Sequence, residues 1–210
     1  MRLTDFMEEL AYGELNDLSL AEGGMIAPEK QPNIVIKVND ILSQLHVKYI
    51  IKLVATTLDT SVKSKSYTLV NPNSVRIVYV RPNVVDEADI YNNGDHFVLS
   101  GNTLTFNRDT GPIANAFHVM YQYKPNRLII NPADRAYANQ VIDLSPEIIP
   151  LVRTLVASSV FTNMNGELHK KTGAELFNLA QFMQNDLETA GVLITSVGFD
   201  SDTFFKNGFV

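Results

Sequence analysis

Residues 97–106 read Phe97-Val98-Leu99-Ser100-Gly101-Asn102-Thr103-Leu104-Thr105-Phe106. Two short β-prone runs flank Ser-Gly-Asn, and Gly and Asn tolerate the positive φ that a tight turn demands. The stretch predicts a β-hairpin. It sits near the middle of a 210-residue chain. β-prone sequence lies close to it on both sides, and helical periodicity lies beyond.

Downstream, residues 116–123 predict a strand with Phe117, Val119, Tyr121 and Tyr123 on one face. Upstream, residues 49–58 are rich in β-branched side chains, residues 59–66 form a polar loop, and residues 67–70 and 75–81 are further strands. In the last of these, Val75, Ile77 and Tyr79 alternate with Arg76, Val78 and Val80. Pro82 cannot donate to a ladder and bars that run from a central position. Residues 49–131 thus predict a small antiparallel β subdomain.

Helical patterns bracket it. Leu3, Phe6, Met7 and Leu10 make a stripe at spacings of three and four, with Thr4 as N-cap and Gly13 taking a left-handed stop. Residues 14–31 read as an extended connector. Pro32 opens a second helix, with Val35, Val38, Ile41, Leu42 and Leu45 on one face to about Lys48. Ser145-Pro146-Glu147 predicts the start of a third, Ser145 as N-cap and Pro146 first inside, with Ile148, Leu151, Val152, Leu155, Val156, Ser159 and Val160 as its face. A long fourth helix ends before Gly191, with a core stripe of Leu176, Leu179, Ala180, Met183 and Leu187. Each helical pair has one apolar face to bury, so the two pairs are expected to pack together. The expected fold class is α+β: a helical bundle, residues 1–48 with 132–190, carrying the β subdomain 49–131 as an insert. Residues 191–210 hold Phe199, Phe204, Phe205 and Phe209 without helical period, and are expected to be a docking arm.

A chain of this length can bury about 70% of its unfolded surface, so it needs no disulfide or metal staple. It has no cysteine, which excludes thiolate zinc sites, iron–sulfur clusters and a Cys nucleophile. With 17 Lys+Arg against 23 Asp+Glu, the balance argues against a duplex-DNA reader. The acidity sits at the ends: residues 1–31 carry 2 basic and 7 acidic side chains, while residues 49–134 carry 8 and 7. The acidic, broken N-terminal stretch does not read as a signal peptide, and no apolar run approaches the ~20 residues of a spanning helix. The chain is expected to stay in a cytoplasm or in something assembled there.

Motifs for chemistry are few. His46, His96, His118 and His169 include no pair at helical ligand spacing. Neither a G-x-S-x-G elbow nor a phosphate-binding loop occurs, and Gly23-Gly24 reads as a flexible joint. Asp86, Glu87, Asp89 and Asp95 surround Asn92-Asn93-Gly94. A calcium-loop register from Asp89 puts Tyr91 at the third position and Ser100 at the twelfth, so it fails. A glycosidase pair drawn from the same acids has no Trp shelf beside it. No metal, cofactor or catalytic residue is expected.

Several segments resemble the head-to-tail adaptor (connector) proteins of tailed bacteriophages: residues 3–15, LTDFMEELAYGEL; Gly23-Gly24; residues 39–49, NDILSQLHVKY; the hairpin residues 98–106, VLSGNTLTF; and the late helices from Leu144-Ser145-Pro146-Glu147 through Met164 to Leu187. The resemblance spans nearly the whole chain in element order. It implies a virion structural protein that is not an enzyme, located at the portal vertex and assembled in the host cytoplasm. Its copies would form a ring, commonly of twelve, beneath the portal protein and above the tail proteins. DNA would pass the channel without sequence-specific binding, and no membrane partner is implied. Phe6, Tyr12, Phe199, Phe204, Phe205 and Phe209 are the expected interface residues, because aromatics favour interface cores. Ordinary core packing competes with that role for each, and for Phe6 it is the stronger reading. The alternatives are another tail component, tube-forming or tail-completing, and a small hydrolase or ligand module using the acids between Asp86 and Asp95.

Overall fold

The computed structural model describes residues 1–16, 18, 21–22, 25–60, 64–70, 74–82, 96–110, 113–124, 126–134 and 136–195. Its elements are α1 (Leu3–Tyr12), β1 (Ala21–Glu22), β2 (Met25–Ile26), α2 (Gln31–Lys48), β3 (Tyr49–Ile50), β4 (Leu53–Thr60), β5 (Ser64–Thr68), β6 (Ser74–Pro82), β7 (Phe97–Ser100), β8 (Thr103–Thr110), β9 (Ile113–Tyr123), a 3-10 turn at Tyr137–Asn139, α3 (Ile149–Thr162), α4 (Glu167–Thr189) and β10 (Ile194–Thr195). The fold is mixed α and β, and β1–β2, β4–β9, β6–β9, β5–β8 and β7–β8 all pair antiparallel. The chain divides into two compact units. One comprises Met1–Tyr49 with Arg127–Ser196, and the other contains Ile50–Asn126.

In the second unit, two three-stranded sheets, ordered β4-β9-β6 and β5-β8-β7, share one core. Leu58, Val80, Phe117, Val119 and Tyr121 meet Leu69, Phe97, Leu104 and Phe106 there. The Phe106 and Phe117 rings lie 4.8 Å apart, and Tyr67 meets Phe106 edge-on at 5.8 Å. The alternation predicted for β9 is seen in the burial of Phe117, Val119 and Tyr121, while Tyr123 is only partly buried. β6 pairs with β9 alone among the described residues, so Pro82 lies in an edge strand, opposite Phe117. In the hairpin Ser100 pairs with Thr103, so Gly101 and Asn102 form the turn, and Gly101 has φ 60°.

The first unit builds its core mainly from α1, α2 and α3. Leu3, Phe6, Met7, Leu10 and Ala11 of α1 are buried, as are Ile34, Val35, Val38, Ile41 and Leu45 of α2. Asn39 is buried in α2 and closes a reciprocal pair with Leu128: its side-chain nitrogen donates to the Leu128 carbonyl at 3.0 Å, and the Leu128 N–H donates to Asn39 Oδ1 at 2.8 Å. The chain start is stitched to a distant segment. Leu3 N–H donates to the Gln140 carbonyl at 2.9 Å, Ile142 N–H donates to the Met1 carbonyl at 2.9 Å, and Arg2 bridges to Val141.

Four local expectations are corrected. α1 begins at Leu3 with Arg2 as N-cap and no side-chain cap, so Thr4 lies inside it. Gly13 has φ −91° and is not left-handed; a Cβ there would meet the Glu9 carbonyl oxygen at 2.9 Å, so close approach is what calls for glycine. Residues 14–31 are not simply extended, since they hold turns and the β1–β2 pair. α3 begins at Ile149, and Ser145-Pro146-Glu147 lies in the preceding turn. Pro150 has no N–H to offer a carbonyl four residues back, so a helix starting at Pro146 would be broken there. Starting at Ile149 places Pro150 in the first turn, where nothing is lost.

Candidate interaction surface

α3 and α4 cross at a glycine. Ser158 Oγ donates to the Gly173 carbonyl at 2.8 Å, and a Cβ on Gly173 would lie 2.6 Å from Thr162 Oγ1 and 2.9 Å from Thr162 N. α4 ends in a left-handed stop at Gly191, φ 72°. Val192 N–H donates to the Leu187 carbonyl and Gly191 N–H to the Glu188 carbonyl. Between these points α4 buries only Gly173 and Ala180. The expected core stripe is therefore corrected. Leu176, Met183 and Leu187 are half-buried, and Leu179 is 50% exposed. Leu168 and Phe182 are exposed at 74% and 69%, and Phe177 is about half exposed. The sequence carried a sign of this: α4 has more large apolar side chains than one helix face can hold.

α4 presents these side chains on two flanks. At about 100° per residue, Leu168, Leu179 and Phe182 fall within roughly 60° of one another, and Phe177 lies about 140–180° away. Leu179 and Phe182 stand about one turn apart, and Leu168 lies on the same side about three turns before Leu179, beyond Lys171, Thr172 and Glu175. Phe177 instead lines a groove of about 720 Å³ with Ile36, Lys37 and Ile41 of α2 and Leu155 and Ser159 of α3. A second hollow of about 290 Å³ shares Ile41, Gln44, Leu155 and Phe177 with it and extends towards Gln184. Lys37 Nζ donates to Ser159 Oγ at 2.8 Å and to its carbonyl at 3.2 Å. Burial lowers the Lys37 ammonium from its ordinary value, while the charge of Asp40 raises it.

At the far end of α2, the buried Tyr49 hydroxyl donates to Glu188 of α4, which also accepts from Gln184 at 3.3 Å and pairs with Lys48 at 3.6 Å. That hydrogen bond lowers the Glu188 carboxyl. Burial opposes the shift and the Lys48 charge reinforces it. The Tyr49 phenol is raised, first by burial and then by Glu188.

α1 carries the acidic surface. Asp5, Glu8, Glu9 and Tyr12, with Gly13 and Arg153, line an open hollow of about 460 Å³. Arg153 of α3 clamps α1 with Nε to Glu14 at 2.7 Å and Nη1 to Glu9 at 2.5 Å. Two acids are thereby neutralised, and Asp5 and Glu8 face water.

The expected interface residues separate. Phe6 is fully buried in the core of its unit, which removes it from any interface in this state. Tyr12 is 67% exposed beside the acidic face. Phe199, Phe204, Phe205 and Phe209 lie outside the described residues, as do Gly23-Gly24 and the acids from Asp86 to Asp95. Among the described residues no three His, Cys, Asp or Glu side chains stand close enough to hold a metal ion, and no helix is long and apolar enough to cross a membrane. The geometry offers contact surfaces: an acidic face on α1, exposed apolar side chains on one flank of α4, and a groove of mixed polar and apolar lining on the other. Scanned against models of known protein families the chain matches none, and no curated protein matches it.

Proposed function

We propose that this chain is a virion structural protein, a head-to-tail adaptor whose copies form a ring under the portal, join it to the tail, and leave a channel for DNA. In this reading the chain is a helical bundle carrying a small antiparallel β subdomain as an insert. Residues 191–210 form an arm that docks on a partner. The reading begins from the resemblance carried by the segments quoted above. One observation supports it independently: α4 keeps Leu168, Leu179 and Phe182 in water, as suits a part that is completed by its neighbours in an assembly. The exposed acids of α1, Asp5 and Glu8, are of the sign that lets a polyanion pass without being held.

The test is assembly with the portal protein of the same particle, followed by native mass spectrometry and negative-stain imaging. A closed ring seated on the portal is the expected result. A strict monomer that joins neither portal nor virions overturns the reading. Locating the chain in the particle distinguishes an adaptor, next to the portal, from a tube or tail-completion protein farther down. Truncation after Gly198 tests the arm: a soluble chain that has lost portal binding is expected, and an insoluble one assigns those residues to the core.

A further inference from the structure

We propose that Asn165-Gly166, at the joint between α3 and α4, is a self-modifying site: the Asn165 side-chain amide is lost as ammonia, the His169 imidazole carries the proton, and a carboxylate appears at the start of α4. The chemistry needs no partner and holds whether or not the chain is an adaptor.

When glycine follows asparagine, its backbone nitrogen readily reaches the side-chain carbonyl carbon before it, because no Cβ stands in the way. Asn165 and Gly166 are both exposed, in a bend between the end of α3 at Thr162 and the start of α4 at Glu167. Neither the Asn165 side chain nor the Gly166 N–H makes a hydrogen bond among the described residues. Other asparagines are held. Asn163 donates its side-chain nitrogen to the Ser159 carbonyl at 2.8 Å, Asn102 donates to the Leu69 carbonyl at 3.4 Å, and buried Asn39 is tied at both ends to Leu128. Gly166 has φ 113°, a conformation that keeps a side chain out of this place. His169 stands over the joint. Its ring packs on Phe161 of α3 with centroids 6.0 Å apart, and its Cδ2, the neighbour of Nε2, lies 3.5 Å from where a Cβ on Gly166 would be. An imidazole so placed can pass a proton through one water.

The Gly166 nitrogen attacks Asn165 Cγ, and the imidazole takes the N–H proton. The bond from Cγ to Nδ2 breaks as the imidazole returns a proton to the leaving nitrogen, which departs as ammonia. A succinimide ring remains, closed between Asn165 Cγ and the Gly166 nitrogen. Water then opens either of its two C–N bonds. Cleavage at Cγ gives aspartate in a normal backbone. Cleavage at the main-chain carbonyl gives isoaspartate, with one more carbon in the backbone of the joint. In both cases an amide and a water become a carboxylic acid and ammonia, no electrons are transferred, and the histidine is unchanged. The new carboxylate lies at the positive end of α4, which has no side-chain cap and where Lys170 and Lys171 outnumber Glu167.

The test ages the purified full-length chain at neutral pH, folded and in urea, and follows each asparagine by peptide mass mapping, with isoaspartyl methyltransferase labelling to count isoaspartate. The sequence holds two more such pairs, Asn93-Gly94 and Asn207-Gly208, which serve as internal standards in urea. His169→Gln and His169→Phe chains, checked for folding by thermal melts, go through the same course. The phenyl ring keeps a packing partner on Phe161 but carries no proton. Asn165 is expected to convert faster in the folded chain than in urea. Both variants are expected to slow it by about tenfold or more when folded, and to leave the rate in urea unchanged. A folded rate no higher than the rate in urea overturns the proposal, because the fold then only protects the amide. An unchanged folded rate in either folded variant also overturns it, since Asn165 then reacts without His169. So does equal slowing in urea, which assigns the effect to local sequence and not to the placement of the ring.

Discussion

α3 and α4 are neighbouring helices of opposite character. α3 has 14 residues and buries nine of them on more than one side, among α1, α2 and α4. α4 has 23 residues and buries two. Both are rich enough in apolar side chains to be read as core helices. The difference shows that a helix's apolar content says how much surface must be covered, and its neighbours say whether its own chain covers it. α3 is covered. α4 is covered along one narrow line, where Gly173 lets it approach Ser158 and Thr162, and is left open on both flanks.

The sharpest way to break this comparison is at Leu151, fully buried in α3. Leu151→Ala is expected to cost about 2–5 kcal/mol in urea denaturation, through lost burial and an unfilled cavity. A loss below about 1 kcal/mol would mean that α3 is no more enclosed than α4. Gly173→Ala comes next. Alanine favours a helix over glycine by about 1 kcal/mol, but its Cβ would press on Thr162 at 2.6 Å, and overpacking costs about 1–3 kcal/mol. A net destabilisation is expected in thermal melts, and a stabilised variant would show that the crossing is looser than described.

Tyr49→Phe tests the tie between α2 and α4, with an expected loss of about 1 kcal/mol near neutral pH. Its pH dependence follows from two shifts. The lowered Glu188 carboxyl contributes stability above the ordinary carboxylate range, and that contribution is lost as pH falls through its folded value. The raised Tyr49 phenol contributes stability below about pH 10, lost as pH rises further. Glu188 is about one-third exposed, so the acid limb is small. Tyr49→Phe should flatten both limbs in pH-dependent melts; an unchanged profile would mean that the hydroxyl does not hold Glu188. The smallest effect is expected at Phe182. Phe182→Ser should leave the stability of the dilute chain within about 0.5 kcal/mol, because that ring is already in water. A larger loss in a dilute melt would place Phe182 in a core.

Much of the architecture could be read in the sequence because it rests on local signals. The Gly101-Asn102 turn, the alternation Phe117-Val119-Tyr121, and the stripe of α1 each need only a few neighbouring residues to declare themselves. Pro82 marked an edge by chemistry alone. The misreadings are of another kind. Ser145-Pro146 looks like a helix start until Pro150 is weighed against it. Leu179 looks like core because periodicity cannot say which side of a helix meets a neighbour 20 residues away in sequence. For the candidate surface, Tyr12 lies in water and Phe6 in the core, while the exposed Leu168 and Phe182 lie off the stripe that defines the helix in the sequence.

The stitching of residues 1–3 to residues 140–142 also has a consequence in time. During synthesis, α1 leaves the ribosome with its apolar side uncovered, and its partners around Gln140 are made only some 140 residues later. At about 5–20 residues per second that is a wait of roughly 7–30 seconds. Over that interval the first helix made lacks its partners at residues 140–142, and Leu3, Phe6, Met7 and Leu10 are the surface a nascent-chain chaperone would meet first.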